Sequence, residues 1–176
     1  MENIPIHKEG FGIEKSPLKE AYILLGAKSP MELSNFYSEE DQKLMGAQAW
    51  DYNNPELVTN KIKEILEQVD VSALNEEEIE WRNEILWFWY HHAISCAIWR
   101  YKDQRAAQEY SARALEFQSD GHPNQITRLL YLLTRDQLNE AEAWATEIHE
   151  EPEKSTAMDV IDGYKKGEFY KEQVRK

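Results

Sequence analysis

Residues 79–101 read I-E-W-R-N-E-I-L-W-F-W-Y-H-H-A-I-S-C-A-I-W-R-Y, and from Ile85 to Ile98 apolar side chains fall on every face of a helix. A helix with one apolar stripe lies on a core, whereas a helix that is apolar all round needs neighbours around it. His91, His92 and Ser95 interrupt the run, which falls short of the roughly 20 residues a bilayer-spanning helix needs. The stretch therefore predicts the central helix of a helical assembly in water. The remainder of the chain has to supply its cover.

Start and stop signals place those other helices. Ser16-Pro17 offers a cap followed by proline at the first helical position, and Gly26 a stop. Ser29-Pro30-Met31-Glu32 repeats the start signal for a short helix to Tyr37, and Ser38-Glu39-Glu40-Asp41 opens another that ends near Trp50. Asn54-Pro55 starts an amphipathic helix in which Leu57, Val58, Ile62, Ile65, Leu66 and Val69 share one side. Asn75 and Glu78 form a capping box for the long central helix. Turns at Lys102-Asp103, Ser119–Pro123 and Asp136–Leu138 separate further helices, with Pro152 ending one and Gly163 and Gly167 interrupting the last. No alternating strand pattern occurs. The sequence predicts an all-α fold in one domain, 1–176, with an N-terminal arm and helices over 1–75 and helical hairpins over 76–176.

The charge and cysteine content narrow the function classes. Thirty-three acids against 20 bases give a net charge of −13, which repels phosphate backbones and argues against nucleic acid as a partner. A single cysteine cannot form an internal disulfide and suits a reducing compartment. The opening M-E-N-I-P-I-H-K-E-G has no basic flank before an apolar run, so a secretory leader is not expected. The expectation is a cytoplasmic protein with no membrane association.

Two hairpins stand side by side at a countable offset. Ala107, in R-A-A-Q-E, and Ala141, in N-E-A-E-A, occupy the same place after their turns, 34 residues apart, and Ile98 matches Leu132 at that offset. The segment Y-K-D-Q-R-A-A-Q-E-Y-S-A-R-A-L, with small Ala107 and Ala114, resembles the turn and second helix of the tetratricopeptide repeat. Y-K-K-G-E-F resembles the turn of a third, truncated hairpin, while Ser95 and Arg128 depart from the family's pattern. The resemblance covers about residues 86–170 and implies a short α-α superhelix. It also implies a concave face lined by Trp89, His92, Cys96 and Trp99, continued on the next hairpin by Ile126, Leu130 and Leu133. Such a face suits an extended peptide or an amphipathic helix of a partner protein, or else is filled by the chain's own first 75 residues. Half-filled stacks also bury an open end against a second copy, so self-association is compatible with the sequence.

Chemistry is less well supported. His92 and Cys96 stand four apart on one helix, a spacing that can place two ligands on zinc, but no second Cys/His pair lies near in sequence. A cysteine among Trp, Ala and Ile reads as a small hydrophobe rather than a thiolate paired with His91 or His92. No phosphate-binding glycine loop or serine elbow occurs. The expectation is a non-enzymatic interaction module without metal or cofactor. Two alternatives remain open: a small acidic inhibitor of immunity type, neutralising a basic partner through its carboxylates, and a metal-dependent enzyme using the His91/His92 region.

Overall fold

The computed structural model describes residues 15–24, 58–118 and 124–171. Among the described residues the regular structure is helical and contains no strand. Seven α-helices follow in chain order: α1 (Lys19–Leu24), α2 (Val58–Gln68), α3 (Glu76–Ser95), α4 (Gln104–Phe117), α5 (Gln125–Leu133), α6 (Leu138–Thr146) and α7 (Glu153–Lys165). A 3-10 turn, Val71–Ala73, precedes α3, and a π-helical turn, Cys96–Tyr101, continues it. Among the described residues no helix is long and apolar enough to cross a membrane. The helices expected over Ser29–Tyr37 and Ser38–Trp50, the start at Asn54-Pro55 and the turn at Ser119–Pro123 lie outside the described residues.

The chain divides into two compact units, Met1–Arg82 and Asn83–Lys176, so the division falls inside α3 rather than before it. In the first unit α1 packs on α2. Leu18, Ala21, Tyr22, Ile62, Leu66 and Trp81 are buried, and the Tyr22 and Trp81 rings lie 4.5 Å apart. The expected capping box at Asn75 and Glu78 is present, while Ser16 and Pro17 lie in a turn just before α1, which begins at Lys19. The Ser16 hydroxyl accepts the Leu18 N–H, and Asn75 and Glu78 exchange backbone-to-side-chain bonds of 2.9 and 3.2 Å at the start of α3. Buried Glu78 also accepts from the Ser16 hydroxyl, and Arg82 Nε donates to the Leu66 carbonyl at 2.6 Å, satisfying an orphan acceptor at the end of α2.

In the second unit α5 packs against α4, α6 and α7, and α6 packs against α7. Buried Tyr90, Ile94 and Ile98 step four residues apart along one row, with Ala97 buried beside them, while Trp87, Trp89 and Trp99 are partly buried against the same core. Ala107 and Ala141 have no exposed surface, and Ala114 likewise. Side chains this small let helix backbones approach closely where a larger residue would force them apart.

The turns of this unit recur at one interval. Lys102, Asp136 and Tyr170 have φ of 58°, 59° and 60°, each 34 positions after the one before. A left-handed backbone is uncommon outside glycine, so three at equal spacing mark one turn geometry used repeatedly. After the first two the next residue caps a helix: Asp103, whose carboxylate accepts the Ala106 N–H, and Gln137. After Tyr170 the described chain ends at Lys171.

Three local expectations are corrected. Pro152 does not end α6, which stops at Thr146; it stands at the cap of α7, a position where a missing N–H costs nothing. Gly163 does not interrupt α7, which runs through it to Lys165 and closes at Gly167, where the Glu168 N–H returns to the Gly163 carbonyl. The long helix does not remain α-helical to Tyr101. From Cys96 it widens to i→i+5 bonding, and the Tyr170 N–H donates to the Ile98 carbonyl at 3.2 Å.

Candidate functional site

The expected stripe begins on α3 and ends in the π turn. Trp89 is partly buried, edge-on to Tyr110 with ring centres 5.9 Å apart and to Tyr90 at 5.0 Å. The His92 ring lies stacked beside Phe88, 6.0 Å between centres. Burial holds its pKa below the usual histidine value. Cys96 is a free, half-buried thiol whose pKa is pushed up by burial, with the Arg100 charge pulling the other way. Trp99 lies edge-on to Phe169, 5.6 Å away, and the Lys102 ammonium donates to its carbonyl.

Trp89, His92 and Cys96 keep the α-helical spacing that puts side chains three and four apart on one face. From Cys96 to Trp99 the chain follows the π turn, in which each residue advances less around the axis than one of an α turn. The widened turn carries Trp99 toward the C-terminal segment and Phe169.

The aliphatic continuation has a different environment. Leu130 and Leu133 are 2% and 1% exposed and Ile126 9%, all within the core shared by α4 to α7. They are core residues rather than surface ones.

His91 has a distinct role. Its Nδ1 shares a 2.8 Å hydrogen bond with the Thr127 hydroxyl, which also accepts from Trp87 Nε1–H at 3.2 Å. Thr127 is fully buried, and its N–H bonds to the Asn124 carboxamide that caps α5. Burial first, and His92 second, lower the His91 pKa to about 4, so the ring is neutral at pH 7. The pair His91–Thr127 thus joins α3 to the start of α5. Among the described residues no group of three or more His, Cys, Asp or Glu is placed to hold a metal ion.

Sequence reasoning did not single out Trp87, Thr127, Phe169 or Tyr170. Only Trp87 lay inside the aromatic run that drew attention. The partners are 36 to 72 positions from the helix they touch, and spacing along one helix carries no signal of them.

Comparison of the chain with protein-family models, with curated proteins and with solved structures finds no match.

Proposed function

We propose that this chain is a non-enzymatic protein-interaction module. Its second unit is a short tetratricopeptide-like stack in which the end of α3 pairs with α4, α5 pairs with α6, and α7 begins a third hairpin. The partner is a protein or peptide segment that meets the half-buried face centred on Cys96 and Trp99, flanked by Trp89 and His92. Ile126, Leu130 and Leu133 hold that face from the core. The single free cysteine suits a cytoplasmic setting.

The observation that carries the reading is the recurrence of left-handed Lys102, Asp136 and Tyr170 at 34-residue intervals. That interval is the length of a tetratricopeptide hairpin, and stacked hairpins of this kind offer extended binding surfaces. A half-buried tryptophan beside a π turn adds an aromatic anchor of the sort that dominates interface energies. A raised thiol pKa and a histidine committed to Thr127 favour binding over nucleophilic chemistry.

The test is site-specific photocrosslinking in cells with p-benzoylphenylalanine placed at position 99, or at position 158 on exposed Met158 of α7 as control. A discrete heterologous adduct at 99, absent at 158, is expected, and it should still form when a lysate is irradiated in about 0.5 M salt, since apolar contacts survive a short Debye length. Identical patterns at the two positions, or none at 99, would count against the reading.

A further inference from the structure

The surface side of α5 stands apart from the rest of this acidic chain. Residues 125–135, Q-I-T-R-L-L-Y-L-L-T-R, contain two arginines and no acid, although the whole chain carries a net charge of −13. Arg128 is exposed, and its guanidinium lies 5.4 Å from the Tyr131 ring centre and 5.9 Å from that of Trp144 on α6. Arg135 lies 3.8 Å from the same Tyr131 ring. One tyrosine ring therefore serves two cations, and a tryptophan extends the ladder.

The two arginines are held differently. Arg135 Nη2 donates to the Gln108 carbonyl at 2.8 Å, and Nη1 to Ser111 Oγ at 3.0 Å and the Tyr131 carbonyl at 3.1 Å. These acceptors are neutral, so its charge is anchored without being cancelled. Among the described residues Arg128 has no hydrogen bond and no carboxylate within salt-bridge distance. Only aromatic faces hold it. Stacking uses the plane of a guanidinium and leaves its N–H groups, which point outward in that plane, able to take both oxygens of a carboxylate. The Trp144 N–H donates to the Gln125 carbonyl at 3.1 Å, which fixes one wall of the seat.

We infer that this face of α5 and α6 docks an acidic segment of a partner protein, with Arg128 taking a glutamate or aspartate carboxylate, Arg135 adding field from behind, and Tyr131 and Trp144 contacting its apolar side chains. Charge complementarity selects the occupant: the Arg128 guanidinium, held over two rings with its N–H groups unmatched among the described residues, pairs with a carboxylate, whereas a long phosphate backbone meets the repulsion of the whole chain. A guanidinium already ordered over two rings loses less side-chain freedom on binding. The inference is independent of the Cys96 and Trp99 face, which lies on other elements.

The test uses the full-length protein, nitrogen-15 labelled, titrated with acetyl-hexaglutamate-amide at low salt while the arginine Nε–Hε resonances are followed. The Arg128 resonance is expected to shift in a saturable way, and Arg128→Gln to weaken binding by about tenfold or more, with Arg128→Lys intermediate because it keeps charge but not the fork. Because Arg128 is exposed, the backbone spectra of both variants should match the parent's. A motionless Arg128 resonance, or equal hexaglutamate affinity in Arg128→Gln, would overturn the inference. Tighter binding of a short single-stranded oligonucleotide than of hexaglutamate would do so as well.

Discussion

His91 and Thr127 share a 2.8 Å hydrogen bond that ties the central helix to the start of α5, with Trp87 donating to the same hydroxyl. The ring that invited a catalytic reading is thus part of the packing between helices. Its pKa is lowered to about 4, mainly by burial, against an ordinary value of 6.5. The unfolded chain therefore binds more protons than the folded one between those two pH values. Stability from this residue is complete above pH 6.5 and is lost as pH falls toward 4, by up to about 3 kcal/mol. Urea denaturation at several pH values checks this. His91→Gln, which cannot titrate, should flatten the dependence across that window.

Lys102 occupies a left-handed turn at φ 58°. Glycine enters that region without steric cost, whereas a β-branched residue does not. Lys102→Val is expected to be less stable than Lys102→Gly by about 1–2 kcal/mol, both variants having lost the ammonium equally. Equal urea midpoints for the two would show that the turn relaxes to another conformation.

Cys96 is half-buried, and its thiol pKa is raised by that burial. The thiolate is the reactive form, so alkylation by iodoacetamide at pH 7 should run about tenfold slower than for a free cysteine, and recover in denaturant. Fast alkylation in the folded protein would reopen a nucleophilic role for the His92–Cys96 neighbourhood.

Local signals were legible in the sequence where the physics is local. Asn75 with Glu78 announces a helix start because each side chain needs only the other's backbone N–H three residues away. Ala107 and Ala141 announce close approach because a small side chain at a fixed interval has few other uses, and both are fully buried. The π turn left no such trace. It coincides with a bond from Tyr170 to Ile98, 72 positions earlier, which no window of sequence contains. The placement of Trp99 followed from that turn, so α-helical spacing alone did not locate it. Leu130 and Leu133 read equally well as groove or core, since periodicity reports which residues share a face and not what covers it.

The account rests on one backbone geometry repeated at Lys102, Asp136 and Tyr170. Scalar and residual dipolar couplings in solution measure φ at each residue directly. The prediction is a positive φ close to the 58°, 59° and 60° of the structure at all three positions. A negative φ at Asp136 or Tyr170 would break the 34-residue recurrence and contradict the repeating-hairpin reading.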